Sequence, residues 1–264
     1  MPYSIGQDVF PTANVWLAIV HLSSGRPDEA RRYARVAVVH AEKIGHLFTL
    51  SLALSMASQV FTDAGDLDEA LRFCRQCIEL CESQSMPFWM GWAMYSEGAV
   101  LVQQGHYAKA DAQLQKAQQL LAATGARNAE AYPDAWRAIA LAHLGHFDEA
   151  RRLAEHGAAY VRTGHESTFL PLALYARGIT EMLDPNAAAG AAEHWFNTAI
   201  VEARALGMRL MELRAANSLA RLWQAQGKRH EARELLAPIF GWFTEGFDTQ
   251  DLKEAKALLD ELQG

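Results

Sequence analysis

The stretch GHFDEARRL, residues 145–153, sets Asp148 and Glu149 side by side, two residues after His146. Paired carboxylates beside an imidazole are a combination that general acid–base catalysis uses. Cys74, Cys77 and Cys81 form C-x2-C-x3-C. On a helix all three share one face, where thiolates could hold a soft metal or cycle through a disulfide. His143 and His146 make an H-x2-H pair, but zinc needs further ligands in closed tetrahedral geometry and no Cys or His pair is suitably spaced to supply them. The sequence contains no G-x-x-x-x-G-K-[ST], G-x-S-x-G, H-E-x-x-H or glycine-rich dinucleotide fingerprint. These motifs therefore predict no catalytic residue, metal or cofactor.

The elements that carry these residues explain them better than chemistry does. GRPDEARRYA begins at Gly25, GDLDEALRFC at Gly65, GHYAKADAQL at Gly105 and GHFDEARRLA at Gly145, 40 residues apart each time. GKRHEARELL follows at Gly227, and AAEHWFNTAI is a diverged copy with no turn glycine assigned in front. An alanine recurs in all six units, at Ala30, Ala70, Ala110, Ala150, Ala192 and Ala232. A second small residue stands seven places before the glycine, at Ala18, Ser58, Gly98, Ala138 and Ala220, with Gly178 in the diverged unit if Pro185 marks its turn. Each unit therefore reads as two helices around a glycine turn, with small side chains where the backbones approach. Asp148 and Glu149 fall in the first turn of a second helix, where acids complement the positive end of the dipole. The same pair recurs at 28–29 and 68–69, which marks it as architecture.

Comparison between units also assigns the cysteines. Cys77 stands where Ala37, Ala117, Gly157 and Ala199 stand, and buried cysteine behaves as a small hydrophobe. The 264 residues carry a net charge of −7, which argues against nucleic acid. The arginine doublets 31–32 and 151–152 read as solvated helix faces. The apolar window Leu47 to Phe61 is too short to span a membrane, and MPYSIGQDVF has no basic leader. Three clustered cysteines make no secreted disulfide framework. Together these features predict a cytoplasmic location without membrane attachment.

The small-residue pattern resembles the tetratricopeptide repeat. The resemblance implies an all-α fold, an α-solenoid of about six hairpins over residues 1–247, closed by a capping helix at 248–264 with Asp248 or Thr249 as its N-cap and its charges outward. The 40-residue period implies helices longer than in the usual repeat of about 34 residues. The segment from Leu213 to Leu262, above all GWFTEGFD at 241–248 and DLKEA at 251–255, is similar to the C-terminal part of bacterial proteins that join a class III adenylate/guanylate cyclase domain and an AAA ATPase domain to such repeats. Neither catalytic domain has its motifs in this chain.

In such an array the first helices line a groove. Counting back from each turn places Trp92, Tyr95, Tyr132, Ile139, His143, Leu172, Tyr175 and Ile179 there, followed by Arg214, Asn217 and Arg221. The alternative for Trp92 and Tyr95 is packing between the helices of neighbouring units; Trp89 and Trp136 read as packing. An apolar, aromatic surface with a basic end suits a protein or peptide partner, since aromatic and Arg groups anchor interfaces. Two other readings follow: a sensor for an amphipathic anion held at Arg214 and Arg221, and a structural homodimer through the N-terminal face, where Val15, Trp16, Ile19 and Val20 have no polar cap in front of them. In the first reading the upstream ATPase or cyclase domains would be what the array regulates.

Overall fold

The computed structural model describes residues 8–126, 130–162 and 167–263. Met1 and the rest of the stretch inspected for a leader, residues 1–7, lie outside them. Among the described residues all regular structure is helical, in six hairpins and a final helix: α1 (Val9–Ser23) with α2 (Pro27–Ile44), α3 (Leu47–Asp63) with α4 (Leu67–Gln84), α5 (Pro87–Gln103) with α6 (Tyr107–Ala123), α7 (Ala131–His143) with α8 (Phe147–Arg162), α9 (Leu170–Leu183) with α10 (Ala191–Ala205), α11 (Arg209–Ala225) with α12 (Arg229–Phe240), and α13 (Gln250–Gln263). A short 3-10 turn at Ser167–Phe169 precedes α9. The chain divides into two compact units, one of residues 1–22 and 27–127 and the other of residues 23–26 and 128–264. The first contains α1 to α6 and the second α7 to α13.

The turn glycines act as the sequence requires. Gly65, Gly105, Gly145 and Gly227 all have φ between +78° and +82°. After α3 the Asp66 N–H donates to the Phe61 carbonyl at 2.9 Å and the Gly65 N–H to Thr62 at 3.1 Å. The same pair of bonds recurs at His106, His146 and Lys228. This Schellman closure satisfies carbonyls that the helix leaves open and needs a left-handed residue that glycine supplies without strain. The diverged unit closes differently: Asp184 ends α9 in an extended conformation, and Gly190, with φ +79°, is the N-cap of α10, two residues before Ala192 where the other turn glycines stand five before their alanine.

Small residues set the approach of the paired helices. Ala18, Ser58, Ala138 and Ala220 are fully buried, as are Ala30, Ala70, Ala110, Ala150 and Ala232. A Cβ at Gly98 would lie 2.5 Å from Leu114 Cγ, and one at Gly178 would lie 2.5 Å from Phe196 Cδ1. Within each unit the first helices are the inner layer: α3 and α5 bury residues on nearly every side, whereas α2, α4 and α6 bury one stripe. The hydroxyls this buries on α3 are satisfied inside the helix, Ser58 Oγ by Ser55 O and Thr62 Oγ1 by Ser58 O, both at 2.7 Å.

The arginine doublets depart from expectation. Arg32 and Arg152 are exposed, but Arg31 is buried beside Asp28 and Asp66. Arg151 turns inward to Glu181 and Asp184 on the next hairpin. The closing helix departs too. Lys253, Lys256, Asp260 and Glu261 face solvent, but Asp251 is buried against Arg214 at 2.8 Å. Thr249 precedes α13, yet its buried Oγ1 makes no hydrogen bond, so the helix does not use it as a side-chain cap.

Candidate functional site

The fold commits the acid pair, the cysteines and the histidine pair to ion pairs, core packing and a turn. His146 is exposed in a turn, Asp148 points to solvent with its carboxylate 3.3 Å from Arg151, and Glu149 reaches toward Arg137 at 4.0 Å. Each acid meets a guanidinium, and none faces a shared reacting position. The three cysteines are fully buried on α4. Burial pushes the Cys74 thiol up to about 12, and the hydrogen bond shared with Cys81, Sγ to Sγ 3.9 Å, raises that of Cys77. Protonated thiols such as those of Cys74 and Cys77 are poor nucleophiles and poor ligands, whereas the same hydrogen bond lowers the Cys81 thiol to about 7. Among the described residues no three His, Cys, Asp or Glu side chains are grouped to hold a metal ion.

The groove residues divide into buried and solvent-reaching sets, considered separately in each unit. In the first unit Trp92 and Tyr95 lie on α5, edge to face at 5.9 Å between ring centroids, and are 8% and 3% exposed. They are packed because α5 sits between α3 and α4 on one side and α6 on the other. In the second unit Tyr132 is buried against Trp136 and Phe169, and Ile139, Leu172 and Ile179 are buried beside it in sequence register. His143, the last residue of α7, is exposed. Tyr175 is half-buried: its ring meets Phe196, Ser218 Oγ donates to its hydroxyl at 3.4 Å, and desolvation raises its pKa.

The basic end of the second unit is engaged by α13. Arg214 grips Asp251 through both Nε and a terminal nitrogen, and Asn217 Nδ2 donates to the Asp251 carbonyl at 2.9 Å. Arg221 pairs with Glu254 at 2.5 Å. These groups are thus occupied by carboxylates of the chain's own last helix. That weakens the expectation of an anion held there, since a ligand would have to displace partners already in bidentate contact.

Two surface hollows lay outside the sequence reading. One, about 530 Å³, is walled by α4, α5 and α6 and floored by Ile78, Met90, Met94 and Leu120. Glu97 stands in it, accepting a hydrogen bond from Gln113, and burial raises its pKa. The sequence held a signal for it, because the same register position is Ala57 in the preceding unit. The other, about 570 Å³, surrounds Arg151, Arg177, Glu181 and Asp184, with Trp195 under the Arg177 guanidinium at 5.3 Å. Arg151 holds the Glu181 and Asp184 carboxyls below the usual range. That network is a tie between α8, α9 and the long turn.

The repeat geometry agrees with the comparisons. Tetratricopeptide-repeat family profiles match residues 11–35, 49–123, 131–156 and 213–238. The chain is built of tetratricopeptide repeats. Among curated proteins none matches it. Of solved structures, a Rap protein complexed with competence and sporulation factor aligns with 96% of this chain and 73% of its own, at 12% identity and a TM-score of 0.62. A signal-transduction ATPase with numerous domains from Pyrococcus horikoshii, carrying a tetratricopeptide-repeat sensor, aligns with 99% of this chain at 19% identity and a TM-score of 0.50. The match spans 39% of that ATPase's length. At these identities the likeness is one of fold, and it places this chain beside the repeat region of a multidomain ATPase.

Among the described residues no helix is long and apolar enough to cross a membrane.

Proposed function

We propose that this chain is a non-catalytic interaction module that receives a protein or peptide segment on the surface of its first helices. The observation that carries the reading is the repeat itself: six hairpins whose chemistry-bearing residues go into packing and inter-hairpin ties. His143, Tyr175 and Arg221 would make the contacts in the second unit, beside Arg214 in its pair with Asp251. Tyr132, Ile139 and Asn217 would shape the surface from beneath, and Trp92 with Tyr95 would do so in the first unit. A bound segment would favour one spacing of the hairpins over another and so bias whatever domain the array is joined to. The likeness to the sensor region of a multidomain ATPase, together with the GWFTEGFD segment, supports a role as the cytoplasmic regulatory arm of, or a partner to, a nucleotide-cyclase or ATPase signalling protein.

The test uses exposed positions, because truncating Trp92 or Tyr95 would empty packed space. A photo-crosslinking residue placed at His143 or Arg221, in cells of the source organism, should trap one protein or peptide sequence reproducibly. The same residue at Val201, exposed on the second helix α10, should not. Crosslinks of equal yield at Val201 would end the reading. An antibody against residues 248–264 tests the arm separately: a band well above 29.2 kDa supports it, and a band at 29.2 kDa removes it.

A further inference from the structure

One face of α1 is apolar and open. Trp16 and Val20 are each 58% exposed, Val9 is 64% and Leu17 is 42%, while Phe10 leans on His40 of α2 with ring centroids 4.4 Å apart. With the exposed Ala13, the residues Val9, Trp16, Leu17 and Val20 form one stripe at helical spacing. The fold explains what this stripe is. Forty residues on, α3 has Thr49, Leu50, Ala53, Met56, Ala57 and Val60 at the same positions, and all are buried except the half-buried Leu50. Eighty residues on, α5 has Ala93, Ser96 and Val100 buried there, while Trp89, Met90 and Glu97 are half-buried. The open stripe on α1 therefore occupies the positions of a repeat-stacking surface that α3 buries almost entirely and α5 buries in part. The helix itself is well formed: Asp8 Oδ1 accepts from the Phe10 N–H at 2.9 Å, and the Asp8 N–H donates to Thr49 Oγ1 at 3.0 Å.

We propose that a second copy of this chain covers the stripe, with the two α1 helices antiparallel. Self-pairing is favoured by three features of the helix. Between Val9 and Val20 it has no charged residue, so two copies meet without like-charge repulsion. The residues Val9, Ala13, Trp16 and Val20 are spaced by four, three and four, the seam that packs knobs into holes. A two-fold axis between Asn14 and Val15 then sets Trp16 of one copy against Ala13 of the other, and Val9 against Val20. The largest side chain meets the smallest, as interdigitating layers require. Taking the exposed fractions of Val9, Trp16, Leu17 and Val20 over ordinary side-chain areas, each copy offers roughly 400 Å² of apolar surface, so the pair buries about 800 Å², the size of a weak contact. An interface of that size is reversible and concentration-dependent.

Sedimentation equilibrium on the full chain tests it. The mass should rise from 29.2 kDa toward twice that value as concentration increases. Trp16→Glu should stay at 29.2 kDa throughout, with unchanged helical circular dichroism, because the side chain it replaces is mostly in solvent. Ala13→Trp fills the hollow and should weaken association by at least about tenfold, as loss of a central anchor does. Combining Ala13→Trp with Trp16→Ala exchanges knob and hole and should restore it. A wild-type mass fixed at 29.2 kDa overturns the proposal, and a natural polypeptide whose upstream hairpin takes the face would give that result. So does a dimer that survives Trp16→Glu, or an exchange that restores nothing.

Discussion

Gly→Ala substitutions at three helical glycines should move stability in opposite directions. In a helix interior alanine is better than glycine by about 0.8–1.0 kcal/mol, so propensity alone predicts that Gly98→Ala, Gly178→Ala and Gly157→Ala all stabilise. Packing separates them. At Gly98 the new Cβ lands 2.5 Å from Leu114 Cγ and 2.6 Å from Leu114 Cδ2, with Leu114 fully buried. Carbon atoms rest at about 3.5–4.0 Å, so α5 and α6 must separate by about 1 Å or Leu114 must leave its rotamer. Overpacking of this kind costs about 1–3 kcal/mol, and the net effect is destabilisation by up to about 2 kcal/mol. At Gly178 the obstacle is the rigid ring of Phe196, which has fewer ways to yield. At Gly157 the nearest atoms are 3.5 Å away, an ordinary contact, and the equivalent residues Ala37, Ala117 and Ala199 show that a methyl group fits. Gly157→Ala should therefore stabilise by up to about 1 kcal/mol. Repeat arrays need not unfold in one step, so the assay is native-state hydrogen exchange on the amides of α5 and α6 for Gly98 and of α9 and α10 for Gly178, beside a urea titration. Leu114→Ala supplies the internal check. Alone it costs about 2–5 kcal/mol, and in the Gly98→Ala background it should cost less, because it removes the clash it would otherwise have left unexplained. If Gly98→Ala stabilises as much as Gly157→Ala, the small residue is not what sets the helix approach and the repeat assignment loses its physical basis.

Three further outcomes follow from the polar ties. Arg151→Met should lower the thermal midpoint at neutral pH, whereas Asp148→Ala, whose carboxylate is in solvent, should not. Because Arg151 depresses the Glu181 and Asp184 pKa values, the stability it confers is present above the ordinary carboxylate range and lost as pH falls through the depressed values, so wild type and Arg151→Met should converge in strong acid. His156 Nδ1 lies 2.6 Å from the buried Asp134 carboxylate, which raises the His156 pKa above 6.5. Its contribution is complete below that value and fades as pH rises through the raised one, so His156→Gln should cost midpoint at pH 5.5 and progressively less toward pH 9. Cys74, buried and held protonated, should react with a thiol reagent only in denaturant; labelling at the native rate of an exposed thiol would contradict its placement.

The framework was legible in the sequence because it is written in residues that have one physical use. Glycine in a left-handed turn and a methyl-sized side chain at a helix contact recur at a fixed period, and no other structure requires both. Gly190 lies outside that period because it caps the start of α10, and α9 ends without a glycine at Asp184. The polar ties were much less legible. Arg31 and Arg151 look like Arg32 and Arg152 in sequence, since each doublet offers two long cations one residue apart. Which of them turns inward depends on an acid from the following hairpin, Asp66 for the first and Glu181 with Asp184 for the second. That partner is about 30 to 35 residues away and carries no motif. The groove had the same difficulty. Counting from the turns gives each first-helix residue an angular position but not its depth, so it does not separate exposed His143 from buried Tyr132.

Depth follows from position in the stack, and this also accounts for the two ends of the described array. A first helix is buried on both sides only when a hairpin lies before and after it. At the far end α13 takes the place of a following first helix: it lies on α11 and α12, and Asp251 and Glu254 neutralise Arg214 and Arg221, which would otherwise face solvent as an open row of cations. A cap of that kind makes the last hairpin's surface polar and self-satisfied. Nothing among the described residues covers the open stripe of α1 formed by Val9, Trp16, Leu17 and Val20. The asymmetry is chemical. One end terminates in paired charges that water can solvate, and the other presents a stripe that water solvates poorly and that another helix of the same register would fit.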